Sequence, residues 1–379
     1  MTIKYFTFNT TGAGVQWAVT ANNGLYVAQD VTVGSTDNFA ITGTGDTLSI
    51  DIDGILYGDQ GGMSLTTATN AIVKIGDQAQ IGGDLSDATG INLTDFEGSL
   101  ENHGLVTGSV GIDMSGNVDL QSVNYGTITG TDSAIHLEAG STGSFSLFNL
   151  GTIDAPSVGN SFGSLILSEG KTNDTIFNAG AINGTVALGG GDDIFFGTGS
   201  KAMSGAVGKL FSLLTGDAST KIGVFVDGGA GKDQILGSKF TDFLSGGKGN
   251  DLILGNNGDD LMFGGGGRDT IVGGKGEDEF VFQAASDSRG KAIDTITDFS
   301  HQQHDILSLG SIDAKPGTAA DDAFKFIGTN NFSGKPGELR YEIHKNETIV
   351  LGNLDNDKQP EFEVHLSGKI HLQHGDFDL

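Results

Sequence analysis

The sequence has no cysteine, which excludes disulfides, thiol nucleophiles and thiolate metal sites. Proline is rare, at 4 in 379 residues, and there is one tryptophan. Arginine occurs at Arg268, Arg289 and Arg340, and nowhere in the first 267 positions. Basic residues are outnumbered 20 to 48 by acidic ones, giving a formal charge of −28. A charge of that sign and size argues against nucleic-acid binding and against attraction to an anionic membrane. No apolar run reaches the length of a membrane span, so membrane insertion is not expected. The opening residues, MTIKYFTFNTTGAG, lack the charged start and apolar core of a cleavable signal peptide. The helix-borne H-E-x-x-H of a zinc protease is also missing. His103 and His136 are the only histidines before residue 228, and the His301/His304 pair reads as surface.

What the chain has instead is glycine, 63 residues of it. Between Gly228 and Val281 these organise six tandem nonapeptides: GGAGKDQIL, GSKFTDFLS, GGKGNDLIL, GNNGDDLMF, GGGGRDTIV and GGKGEDEFV. The sixth place is always aspartate (Asp233, Asp242, Asp251, Asp260, Asp269, Asp278). The eighth is always apolar (Ile235, Leu244, Ile253, Met262, Ile271, Phe280). This is the G-G-x-G-x-D-x-U-x pattern of a calcium-binding parallel β-helix, in which a short strand alternates with a glycine turn. Two blocks close one flattened coil. The turn glycines supply positive φ and let carbonyls crowd together; here they are Gly228, Gly229 and Gly231 in the first block, and Gly246, Gly247 and Gly249 in the third. Gly255 and Gly258 serve the fourth block, Gly264, Gly265 and Gly267 the fifth, and Gly273, Gly274 and Gly276 the sixth. Stacked coils then bring carboxylates and carbonyls into all-oxygen cages suited to Ca²⁺. Without the ion the carboxylates repel, so metal binding and folding are expected to be coupled. The second block is the weak one, with Ser238 and Phe240 where glycines belong. Asp287 follows Asp278 by nine residues but lacks the glycines.

Upstream runs a looser repeat, N-x-G-x-[I/V]-x-[G/A]: NHGLVTG from Asn102, NYGTITG from Asn124, NLGTIDA from Asn149 and NAGAING from Asn178, with a degenerate copy at Asp77. Irregular periods of 20–30 residues with several short strands each are the mark of a parallel β-solenoid. In that fold Val106, Ile128, Ile153 and Ile182 stack inside, and the asparagines line a corner. An antiparallel sandwich is the competing architecture. The block LGGGDDIFF at Leu188 resembles a nonapeptide, with Asp193 at the aspartate place. KAMSGAVGKLFSLL, within Gly199–Lys221, is the one expected helix of this half, a cap or a contact surface. The expected order is a solenoid over 1–197, a connecting segment over 198–227, a calcium roll over 228–287 and a C-terminal β-rich module over 288–379.

After the repeats come Asp287-Ser288, then DTITDF at Asp294 and DILSL at Asp305, then DDAFKFIGTNNFSGKPGELRYE and FEVHLSGKIHLQHGDFDL. Over Gly228–Leu379 the chain resembles the C-terminal region of repeats-in-toxin (RTX) proteins, notably serralysin-type proteases and alginate epimerases. The resemblance implies Ca²⁺ ligation by Asp233, Asp251, Asp260, Asp269 and Asp278 with their turn glycines, and more weakly by Asp287 and Asp294. It also implies export through a type I exporter by an uncleaved C-terminal signal, hence a secreted or cell-surface protein of a Gram-negative bacterium. One departure is GNLDNDKQPEF at Gly352, where Lys358 replaces a turn glycine and disfavours a cation.

No catalytic constellation rises above background. Solenoid enzymes acting on uronate polymers need cations beside the substrate carboxylate and a base at the sugar carbon. The solenoid offers only the scattered Lys4, Lys74 and Lys171. Asp51 and Asp53 read as alternation along a solvated strand, and a glycosidase's two carboxylates have no visible geometry. A pore-forming role rests on Lys209–Leu214 alone. The expectation is a non-catalytic, calcium-dependent structural protein that self-associates or adheres at the cell surface or biofilm matrix, with a polysaccharide as a further partner. The rival is a polysaccharide lyase, epimerase or glycosidase.

Overall fold

Leu25, Ile50, Val73, Leu100, Ser122, Leu147, Ile176 and Phe195 stand one above another, each paired in register with the next along a parallel ladder. The computed structural model that shows this describes residues 2–83, 88–154, 164–183, 185–197, 222–318 and 322–379. The chain divides into two units, Met1–Lys221 and Ile222–Leu379. No α-helix is present among the described residues, and no helix is long and apolar enough to cross a membrane. The segment expected to be helical lies outside the described residues.

In the first unit the coils pass through three parallel ladders, the second and third merging into single long strands at Leu105–Ser115 and Thr127–Leu137. A second file runs Val33, Leu56, Ile81, Val106, Ile128, Ile153 and Ile182. A third runs Ile41, Met63, Ile91, Ile112, Ile135, Ile166 and Val186. Every residue of the third file is at most 1% exposed. All described pairings in this unit are parallel, so it is a β-solenoid and not an antiparallel sandwich. The alternation is legible in Ser49–Ile52 (SIDI), where Ile50 and Ile52 are buried and Asp51 sits on the outer face. Period-two side-chain alternation puts one set of residues in the core and the other in solvent.

The N-x-G repeat has a double physical basis. Asn102 Nδ2 donates to Asn124 Oδ1 (2.8 Å), Asn124 to Asn149 (2.8 Å) and Asn149 to Asn178 (2.7 Å), a ladder of buried amides climbing from coil to coil. The glycine two residues later has no room for a side chain. A Cβ on Gly126 would strike the backbone of Gly104, one on Gly151 that of Gly126, and one on Gly180 that of Gly151.

The second unit is a roll of two ladders. Ile235, Ile253, Ile271, Ile296 and Leu366 form one apolar file. Val226, Leu244, Met262, Phe280, Leu307 and Phe377 form the other. The strand Ile222–Asp227 pairs with Thr241–Gly249, so the roll begins six residues before the first nonapeptide, inside the segment expected to be a connector. At the other end both ladders run on past the repeats. The antiparallel strands Glu338–Ile343, Glu347–Asn353 and Phe362–Ser367 close the unit, the last lying parallel to Asp294–Ile296.

Candidate metal centre

The nonapeptide turns place their aspartates in two rows, one for alternate blocks. In one row the N–H of Asp233 donates to Asp251 Oδ1, that of Asp251 to Asp269 Oδ1, and that of Asp269 to Asp294 Oδ1, each at 2.8 Å. In the other row Val224 donates to Asp242 (2.7 Å), Asp242 to Asp260 (2.8 Å), Asp260 to Asp278 (3.0 Å) and Asp278 to Asp305 (3.2 Å). One carboxylate oxygen of each accepting aspartate, from Asp242 to Asp305, thus pins the coil before it.

The second oxygen is different. Oδ2 of Asp251, Asp260, Asp269, Asp278 and Asp294 is buried with no hydrogen-bond partner, in residues at most 3% exposed. A buried carboxylate oxygen left unsatisfied costs roughly 1–3 kcal/mol or more, so three of them in one row and two in the other call for cations. Burial raises all five acids, helped by neighbouring carboxylates at Asp260, Asp269, Asp278 and Asp294. Asp260 is pushed up to about 9, Asp294 to about 8, and Asp269 and Asp278 to about 7. In Asp251, Asp260, Asp269 and Asp278 the oxygen lies over the first glycine of its turn, at Gly246, Gly255, Gly264 and Gly273, where any Cβ would collide with it. Gly228 stands in the same relation to Asp233. The second and fourth places take positive φ: Gly229 and Gly231, Gly247 and Gly249, Gly265 and Gly267, Gly274 and Gly276. In the fourth block Asn256 (φ 81°) and Gly258 do the same work, asparagine being among the few side chains that tolerate it. Buried, anionic, oxygen-only cradles between glycine turns fit Ca²⁺.

Asp242 departs from this pattern. Ser238 donates its N–H to Asp242 Oδ2 (2.6 Å) and its hydroxyl to Oδ1 (2.9 Å), so both oxygens are already served by protein donors. The serine that breaks the glycine pattern thus gives Asp242 Oδ2 the hydrogen-bond donor that the five aspartates above lack. Asp287 also stands apart: its Oδ2 accepts the N–H groups of Gln283 and Ala284 (2.9 and 2.8 Å) and closes a local turn. Nine-residue counting pointed to Asp287, yet the rows continue through Asp294 and Asp305. Sequence reasoning passed over Asp305, although the signal was there. Asp294-Thr295-Ile296 and Asp305-Ile306-Leu307 keep an apolar residue two places after the aspartate, whereas Asp287 has Arg289 there.

Asp193 lies in the first unit, where its Oδ1 accepts the N–H of Asp174 at 2.7 Å. At the Gly352 turn Asp355, Asp357 and Glu361 converge within 4.8 Å, but the two aspartates are exposed. His301 bonds Asp376 Oδ1 (2.6 Å) and His304 meets Glu277 (3.1 Å), so the pair serves two separate contacts. Asp53 accepts the Tyr26 hydroxyl (2.9 Å), and Asp51 and Lys74 are register neighbours on the outer face.

A parallel roll with two rows of buried carboxylates between glycine turns defines the class, a nonapeptide-repeat protein of the calcium-binding kind. The particular family follows from comparison. The chain matches the family described as Peptidase M10 serralysin C terminal over residues 5–378, and it belongs to that family. Among solved structures it is similar to the AlgE6R2 subunit of the Azotobacter vinelandii mannuronan C5-epimerase. That match has 25% identity and a TM-score of 0.29, and covers 38% of this chain and 86% of that one. The AlgE6R3 subunit of the same enzyme matches at 26% identity and TM-score 0.28, covering 38% and 77%. No protein of curated function matches the chain.

Proposed function

We propose that this chain is an exported, non-catalytic structural protein whose roll orders on meeting extracellular Ca²⁺ and whose solenoid then joins copies of the chain at the cell surface or in the biofilm matrix. Membership of the serralysin C-terminal family supports the calcium roll and type I export. The observation that carries the assembly reading is the edge of the first coil. Its strands Thr2–Phe6, Thr10–Gly12 and Trp17–Val19 are each paired on one side only among the described residues. Around that edge Tyr5 is 58%, Phe8 70% and Trp17 38% exposed. Unpaired parallel strands bearing aromatics are templates for another chain. Lys4, the charge on this edge, folds onto the Trp17 ring (5.1 Å to its centre).

Light scattering and electron microscopy on the purified protein, first in EDTA and then in millimolar CaCl₂, test this. Growth from a monomer to fibres or sheets is expected, and Trp17→Lys is expected to suppress it. A protein that orders with calcium yet stays monomeric at all concentrations overturns the assembly reading.

A second reading, an enzyme or binder acting on polysaccharide, is favoured by a groove of about 520 Å³ on the solenoid flank lined by Glu97, Ser99, Asp119, Gln121 and Ser144. Its lining carries neither an aromatic platform nor a cation for a uronate. Turnover of acidic polysaccharides, lost in Glu97→Gln or Asp119→Asn, would establish it.

A further inference from the structure

One pair of turns in the first unit reproduces the roll's hydrogen-bond pattern. In the roll, Asn250 Oδ1 accepts the N–H of Arg268 (2.8 Å) and Asp259 Oδ1 that of Glu277 (2.9 Å). In the solenoid, Asn173 Oδ1 accepts the N–H of Asp192 (3.0 Å). In the roll, Asp251 donates to Asp269 Oδ1 (2.8 Å), and the Asp251 carbonyl accepts the N–H of Thr270 (2.8 Å). In the solenoid, Asp174 donates to Asp193 Oδ1 (2.7 Å), and its carbonyl accepts the N–H of Ile194 (2.9 Å). The upper turn takes positive φ at the second and fourth places, Gly189 (83°) and Gly191 (135°), as the fifth block does at Gly265 (89°) and Gly267 (139°). Both aspartates keep the apolar residue two places on, Ile176 and Phe195, which pair in register and are buried.

The decisive group is Asp174. It is 1% exposed, and both of its carboxylate oxygens are buried without a well-formed hydrogen bond. Burial pushes the acid up to about 6, outweighing the Thr172 and Ser168 hydroxyls and the Phe145 backbone N–H, which stand close by and favour its charged form. The nonapeptide pattern hid this turn, because Thr172 and Asn173 precede Asp174 where a fourth-place glycine and a variable residue were sought.

We infer that the turns Ser168–Asp174 and Leu188–Asp193 form a separate divalent-cation site of oxygen ligands in the solenoid unit, with Asp174 as its principal carboxylate. The inference rests on reading the roll's matching carboxylates as Ca²⁺ ligands. It adds that the solenoid unit answers to calcium through its own site.

Calcium stoichiometry of the full-length protein, measured by equilibrium dialysis and calorimetry, tests it. Asp174→Asn, which keeps the shape and removes the charge, is expected to bind one ion fewer than wild type. Asp269→Asn is the roll control and is expected to lower the count on its own. An unchanged count in Asp174→Asn beside a lowered one in Asp269→Asn overturns the solenoid site and leaves the roll reading standing. A wild-type protein that binds no calcium overturns both. Should Asp174→Asn fail to fold, terbium-loaded wild-type crystals decide. Anomalous density beside Asp174 supports the site, and density confined to residues 222–379 overturns it.

Discussion

Asp251 donates its backbone N–H to Asp269 Oδ1 at 2.8 Å, while Asp269 Oδ2 is buried without any partner. One carboxylate thus holds the coil below it through one oxygen and offers a bare charge through the other. In calcium-free protein these acids sit far above their ordinary 3.8, Asp260 at about 9 and Asp269 and Asp278 at about 7. The unfolded chain therefore releases these protons first as pH rises. The folded roll binds more protons across the window from about 4 to about 9, and stability falls with pH throughout it. Calcium-free roll is expected to be most stable below pH 4 and weakest near pH 9. Thermal melts in EDTA across that range check the slope, and calcium should abolish it.

Asp242→Asn separates holding a coil from holding an ion. Because Ser238 serves both oxygens of Asp242, the variant is expected to keep the wild-type calcium count while losing roughly 1–3 kcal/mol of stability. Asp269→Asn is expected to do the reverse, losing calcium first. Calorimetric stoichiometry beside urea melts in EDTA distinguishes them.

Asn124→Ala cuts the amide ladder in the middle. It removes the short partner of the buried Asn102 Nδ2, which keeps only a 3.4 Å bond to the Thr127 carbonyl, and that of Asn149 Oδ1, at a cost of about 3 kcal/mol. Denaturant unfolding of the solenoid unit should show it, whereas alanine at the exposed Tyr125 should change little.

His136 Nδ1 lies 2.9 Å from Asp113 Oδ1, and that hydrogen bond raises the imidazole above its ordinary 6.5 against the opposing effect of burial. Its stabilising contribution is complete below pH 6.5 and disappears as pH climbs through the raised folded value. An NMR titration should find the His136 pKa above 6.5, and Asp113→Asn should lower it.

Where the sequence was readable, it was because two constraints coincided on one residue pattern. The N-x-G repeat demands an amide that fits the ladder and a glycine that fits beneath the previous coil, so Asn102 to Asn178 disclosed both the solenoid and its inward file from Val106 to Ile182. The nonapeptides disclosed their aspartates in the same way. Reading failed where a constraint persisted and its companion vanished. Asp305 kept its row and its apolar partner Leu307, but the chain between it and Asp278 had grown to 27 residues and lost the glycines. Asp287 kept the spacing and had neither. At Asp242 the substitution of Ser238 was visible, but its reversal of the carboxylate's role needed the geometry of two hydrogen bonds.

The asparagine ladder also sets how such a chain can vary. Successive rungs are 22, 25 and 29 residues apart along the chain, yet their amides meet at 2.7–2.8 Å each time. Extra residues must therefore leave through the loops, while each coil advances the stack by the same strand spacing of about 4.8 Å. The height of the solenoid counts coils and is indifferent to their length. Whole coils are the natural quanta for duplication or deletion, and foreign loops can be grafted between rungs without moving the next one.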